Sequence, residues 1–257
     1  MEYVVIIIVA ISGAYFSFVS GFGLGTLLLP AFMIFFPAPV AIVTTAVVHM
    51  LNNIFKLGLV GRYADKQVLI YFGFTSVIGA LLGALLLSKI DTLNVITSYV
   101  LFSREFEITS IKLIMGILIL IFTMLELNTR FQSMAIDKKW LPAGGLLSGF
   151  FGGLSGHQGA LRSAFLMKVG LSKESFVGTR AVCAFLVDTS RIAVYVALIR
   201  ESFGDINVRL VIVAALAAFA GAWFGNRWIK KTEIESVNKF ISIALIIFSI
   251  LLIAGII

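Results

Sequence analysis

The sequence predicts an all-α fold: a polytopic helical membrane protein built from two inverted repeats of about five helical segments each, with short broken or re-entrant helices at glycine-rich tips. Three observations predict it. Of 257 residues, 60% are hydrophobic and 13% charged, with a mean hydropathy of +1.07, whereas a soluble domain is roughly a quarter charged. Apolar runs at 3–19, 68–87, 111–127 and 240–257 are long enough, at about 1.5 Å per residue, to cross a hydrocarbon core about 30 Å thick. A glycine-rich break followed by a polar stripe occurs twice at one constant offset, the pattern of an internally duplicated membrane fold. A transmembrane barrel would need alternating segments of about ten residues, and the sequence does not alternate in that way.

The elements follow in order. The first half reads as segments 3–20, 23–36, 39–60, 67–89 and 109–127; the second as 141–155, 157–170, 173–200, 207–230 and 236–257. The division is therefore 1–127 for the first membrane repeat, 128–139 for a polar linker and 140–257 for the second repeat. Only Glu2 precedes the first apolar run, which lacks a basic flank and a small-residue cleavage site, so it reads as a retained helix rather than a signal peptide. The second segments, 23–36 and 157–170, would be about 21 Å long if helical. That is short of a span, so each is expected either to cross or to fold back on the segment before it. The fourth segments carry Gly79/Gly83 and Gly221/Gly225, GxxxG pairs that let backbones pack closely in lipid. Residues 92–108, with Arg104, Glu105 and Glu107, have no counterpart in the second half and are expected to form a short interfacial helix.

An odd number of segments per half inverts the second repeat. Arg62, Lys66, Arg130, Lys138, Lys139, Lys168, Lys173, Arg227, Lys230, Lys231 and Lys239 then fall on one side, against Lys89, Arg104, Lys112, Arg200 and Arg209 on the other. The positive-inside rule puts the linker in the cytoplasm and both termini outside. The net charge of +7 is thus read as orientation in a bilayer, not as a nucleic-acid surface. Cys183 is the single cysteine, which excludes a disulfide framework and a thiolate metal cluster. No cofactor or metal is expected.

The chemistry lies in the two breaks and their stripes. The first runs Ser20-Gly21-Phe22-Gly23-Leu24-Gly25-Thr26, then Thr44-Thr45, His49, Asn53 and Lys56; the second runs Ser155-Gly156-His157-Gln158-Gly159, then Arg162, Thr179-Arg180, Asp188 and Arg191. Ser20 matches Ser155, Gly21 matches Gly156, Asn53 falls on Asp188 and Lys56 on Arg191. Irregular backbone at membrane depth must be buried in protein or line a wet cavity. Each break opens a helix whose first N–H groups lack partners and whose dipole end is positive, so two such starts aimed at one point make an anion site. Ser20, Thr26, Thr45, Ser155 and Gln158 would add donors, and Gly21, Gly23, Gly25 and Gly156 would admit a ligand to the backbone. His49, Asn52, Asn53 and Lys56, spaced i, i+3, i+4 and i+7, share one helix face. Intramembrane charge is costly and faces an interior path; Asp188 pairs naturally with Arg191, which leaves Arg162 and Arg180 to be balanced by an anion. Lys56 is expected to snorkel to headgroups. His49 and His157 are either packing histidines or contacts to the anion, and a neutral-range imidazole could carry a proton.

Gly21-Phe22-Gly23-Leu24-Gly25 with Pro30 and then Thr44-Thr45, together with Gly153–Gly159, Thr179 and Gly221/Gly225, resembles the two repeats of the TauE/SafE (sulfite exporter, TSUP) family. The likeness covers the chain apart from 92–108. The chain departs from the family pattern at Phe22 and Leu24, at His157-Gln158, at Ser163-Ala164-Phe165 and at Arg180. The resemblance implies a carrier in the prokaryotic inner (plasma) membrane for small sulfur-containing or organic anions such as sulfite, thiosulfate or sulfonates, an exporter working by alternating access.

The alternatives are an intramembrane enzyme, drawn from Ser155 with His157 or His49 with Asp188, and a passive anion channel. The enzyme reading lacks any specific motif: two residues at a break do not make a nucleophile–base pair, and no His-Glu-x-x-His occurs. No nucleotide-binding Gly-x-x-x-x-Gly-Lys-Ser/Thr is present either, so coupling to proton or sodium is the expectation, with Asp188 as the carboxylate at membrane depth. Expected partners are a small anionic substrate and membrane lipid; oligomeric state stays open, a homo-oligomer included.

Overall fold

The structure, a computed structural model, describes residues 1–19, 23–90, 94–128, 130, 136–167, 169–198, 206–228 and 235–257. Its main helices are α1 (Glu2–Val19), α2 (Leu24–Met33), α3 (Ala38–Val60), α4 (Lys66–Lys89), α5 (Ser110–Leu127), α6 (Leu141–Ser155), α7 (Gly159–Leu166), α8 (Lys173–Leu198), α9 (Val208–Trp228) and α10 (Glu235–Ile253). Ala38–Tyr63, Lys66–Lys89, Ser110–Leu127 and Val208–Arg227 are each long and apolar enough to cross a bilayer. The outward faces carry apolar side chains such as Ile70, Phe74, Leu82, Ile212 and Leu216, while Asn52, Asn53, Asp188 and Arg191 are buried. That inside-out distribution suits a bundle solvated by lipid, where interior ionisable groups must find partners.

Both second segments are short. α2 has ten residues and α7 eight, about 15 and 12 Å, well under a bilayer core. Gly23, in extended backbone, starts α2, and Pro37 starts α3 a few residues after α2 ends. Gly156 ends α6 with φ +80, and Gly170 follows α7 with φ +84; both are left-handed conformations that glycine takes without steric penalty.

The helices pair across the two halves. α1 packs on α9 and α4 on α6, while α3 packs on α8 and α5 on α10. The close contacts repeat. A Cβ on Gly79 would sit 2.1 Å from the Leu146 carbonyl oxygen, and one on Gly221 would sit 2.1 Å from that of Ile11. One turn on, Gly83 meets the Phe150 carbonyl at 2.0 Å and Gly225 that of Tyr15 at 3.0 Å. Contact numbers rise together in these two pairs, so α4 runs parallel to α6 and α1 parallel to α9. In the α3–α8 pair they run oppositely: Val60 lies against Gly178, and His49 against Asp188.

Residues 95–109 correct the helical expectation. β1 (Val95–Leu101) and β2 (Arg104–Thr109) form an antiparallel hairpin with Leu101 opposite Arg104. Its turn, Phe102-Ser103, is left-handed at both residues, with φ 50 and 60. The β-branched and aromatic content of Val95, Ile96, Thr97, Tyr99 and Val100 favours a strand. Tyr99 stacks on Phe106 and donates from its hydroxyl to the Ala254 carbonyl at 2.7 Å, tying the hairpin to the end of α10. In the linker, Asp137 caps the short turn Lys138–Trp140; the Lys139 amide and ammonium beside it hold its carboxyl below the usual range.

Candidate functional site

The start of α2 meets the α6–α7 tip. A Cβ on Gly25 would lie 3.5 Å from the Gly156 carbonyl oxygen and 3.7 Å from the His49 ring. Beside this junction is a small cavity of about 40 Å³ between α1, the α2 tip, α3, the α6–α7 tip and α8. α3 contributes His49, Asn53 and Lys56, at the i, i+4 and i+7 spacing that aligns side chains on one face. α8 contributes Val177, Arg180, Ala181 and Ala184 by the same periodicity, and the α6–α7 tip contributes Gly156, Gln158, Gly159 and Arg162. The first N–H groups of α7 precede its first closed turn, Arg162 N–H to the Gln158 carbonyl at 3.0 Å, so they remain free of intrahelical partners.

Three cations reach this cavity. Arg162 is 4% exposed and donates from one terminal nitrogen to the Arg180 carbonyl at 3.2 Å; its Nε and other terminal nitrogen make no hydrogen bond among the described residues. Arg180 lies over the Phe176 ring at 5.2 Å, within electrostatic reach of Glu126 on α5. Lys56 corrects the snorkelling expectation. It is 6% exposed, donates to the Ser17 hydroxyl, and sits 5.7 Å from the Phe18 ring centre. Gln158 is buried, and neither of its amide atoms has a hydrogen-bond partner among the described residues.

At the deep end, Asp188 is wholly buried and saturated. Its Oδ1 lies 3.0 Å from Arg191 Nε and 2.8 Å from Arg191 NH2; its Oδ2 accepts from His49 Nδ1 at 2.7 Å and from Asn53 Nδ2 at 2.6 Å. The natural pair read from sequence is thus a four-residue network. With Lys56, Arg162, Arg180 and Arg191 against Asp188 and Glu126, the neighbourhood has more positive than negative groups. A surplus of that kind at low dielectric calls for an anion.

Other predicted residues lie around rather than in this cavity. The Ser155 hydroxyl donates to the Phe151 carbonyl at 3.1 Å and meets His157 Nδ1 at 3.2 Å, while the His157 ring stacks parallel to Phe122. Thr26 is buried with its hydroxyl toward Gly23, and Thr45 is buried on α3. The Thr179 hydroxyl accepts from the Asp65 amide at 2.9 Å, at the loop between α3 and α4. Ser20 and Gly21 lie outside the described residues. Sequence reasoning missed Ser17 and Glu126; Ser17, one turn before the first glycine tip, could have been found by extending the tip backwards.

Comparison with known proteins adds one finding. The family model described as "Sulfite exporter TauE/SafE" matches residues 5–252. No curated protein and no solved structure matches significantly.

Proposed function

Because the chain belongs to the sulfite exporter TauE/SafE family, an exporter-type anion transporter family and thus an integral membrane protein, we propose that it moves a small sulfur-containing or organic anion by alternating access. The anion, of the class of sulfite, thiosulfate or a sulfonate, sits between the starts of α2 and α7, held by Arg162, Arg180 and Lys56, with Gln158 and the α7 amides as further donors. One observation carries this: buried guanidinium and amide donors of Arg162 and Gln158, unpartnered among the described residues, at a cavity where positive groups outnumber acids. Charge-assisted bonds to an oxyanion would satisfy them.

The equivalence of the two halves supports alternating access. The positions matching Lys56, Arg162 and Arg180 are Arg191, Leu27 and Thr45, and Arg191 is closed onto Asp188. Rocking one repeat against the other would open a second vestibule there. The present cavity leans toward the ends of α3 and α8 that lead to Arg62 and Lys173, the side read as cytoplasmic, which is where an exporter loads. The setting is the prokaryotic inner membrane, with residues 1–127 and 140–257 as the moving units and both termini outside. Ser155 spends its proton on a backbone carbonyl, a poor arrangement for a nucleophile.

Reconstituted protein tested against labelled sulfite, thiosulfate, an aliphatic sulfonate and a carboxylate should exchange at least one sulfur oxyanion in a saturable way. No exchange of any of them, by protein that is folded in the vesicles, would refute the reading; non-saturable flux would make it a channel.

A further inference from the structure

His49 stands at the boundary between the saturated network and the cavity. Its Nδ1 is 2.7 Å from Asp188 Oδ2. A carboxylate only accepts, so Nδ1 carries the proton and Nε2 holds the lone pair. Nε2 makes no hydrogen bond among the described residues and lies toward the α2–α6 junction, 3.9 Å from where a Cβ of Gly25 would be. The ring lines the same cavity as Arg162, Arg180 and Lys56.

We propose that His49 is the proton-carrying residue of the transport cycle, taking a proton at Nε2 from cavity water as the anion binds, so that anion and proton cross together. One bond breaks and one forms: an O–H bond of hydronium in the cavity water gives way to N–H at Nε2, neutral water is left, the ring becomes an imidazolium, and the Nδ1–H bond to Asp188 stays intact. Asp188 acts as a positioning residue that fixes the tautomer and stabilises the charged ring, itself held by Arg191 and Asn53.

The coupling follows from the groups facing His49. From α3 these are Asn53 and Lys56; from α8, Asp188, Arg191 and Arg180; from α7, Arg162. α2 carries no titratable side chain, and α9 carries only Arg209 and Arg227, near its two ends. In the empty cavity Lys56 and Arg191 oppose another positive charge at His49. An anion seated beside Lys56 weakens that opposition, so binding promotes protonation. By reciprocity, protonation promotes binding by the same factor.

The inference rests on the carrier reading above, and its test separates the two. In proteoliposomes, anion-for-anion exchange at equal pH reports transport alone, whereas accumulation under an imposed pH gradient, with a lumenal pH dye, reports coupling. Wild-type protein should move protons with the anion, and His49→Gln should lose gradient-driven accumulation at least tenfold more than it loses exchange. Imidazole NMR gives a second readout that does not require transport: the chain has two histidines, assigned by loss of one signal in His49→Gln or His157→Gln. With an aliphatic sulfonate, which stays ionised throughout, His49 should take up its proton at Nε2 at higher pH than without it. Unchanged accumulation in His49→Gln, no proton movement with the anion in wild type, or a His49 titration indifferent to the sulfonate would each overturn the inference while leaving the carrier intact. Absence of wild-type exchange would overturn the carrier reading, and this inference with it.

Discussion

Asn53 and Asp188 occupy equivalent positions in the two halves, and they hydrogen-bond to each other at 2.6 Å. The bond joins the middle of α3 to α8 at the deep end of the cavity. In the proposed alternating-access cycle this is the contact about which the two repeats would pivot.

Gly156 should not tolerate a side chain. Its φ is +80, and a Cβ there would lie 2.7 Å from Arg191 NH1. Gly156→Ala incurs about 1–2 kcal/mol for left-handed backbone and pushes the guanidinium away from Asp188. A lowered Tm in detergent together with weakened anion binding is expected.

Gly79 and Gly221 make copies of one contact, each 2.1 Å from a carbonyl of the opposite half at the Cβ position. Gly79→Leu and Gly221→Leu should therefore be comparably destabilising, each by at least the roughly 1–3 kcal/mol typical of overpacking. Thermal melts of the two single variants check this. Strongly unequal losses would argue against equivalent packing.

Lys56 faces the cavity and the Ser17 hydroxyl rather than the headgroups. Lys56→Met keeps the stem and removes the charge. Anion affinity should fall about tenfold, about 1.4 kcal/mol, measured by ligand-dependent thermal shift. A snorkelling lysine would leave affinity unchanged.

The Tyr99 hydroxyl anchors the hairpin to Ala254 at 2.7 Å. Tyr99→Phe removes one hydrogen bond, about 1 kcal/mol. Amide exchange in residues 95–109 should quicken without loss of anion binding.

The polar stripe of α3 was legible because His49, Asn53 and Lys56 recur at helical spacing in apolar sequence, and the pairing of Asp188 with Arg191 because they lie three residues apart. GxxxG packing was legible for a similar reason, since four small residues sit at matching places. What sequence could not reveal depends on where distant segments run. Lys56 lies near a helix end, where lysines ordinarily snorkel; only the position of Ser17 on α1 turns it inward. Thr179 follows the path of the α3–α4 loop to Asp65, which no spacing encodes. The hairpin was masked because its seven-residue first strand is too short for periodicity to separate it from a helix.

The central claim is that two opposed copies gather buried guanidinium groups around an anion, and Arg162 tests it most directly. Thiosulfate titrations of wild-type and Arg162→Gln protein, followed by thermal melts in detergent, give the measurement. At about 100 times Kd, wild type should gain about 2.7 kcal/mol, and the variant should need at least tenfold more ligand for the same gain. Equal stabilisation of both proteins would contradict the account.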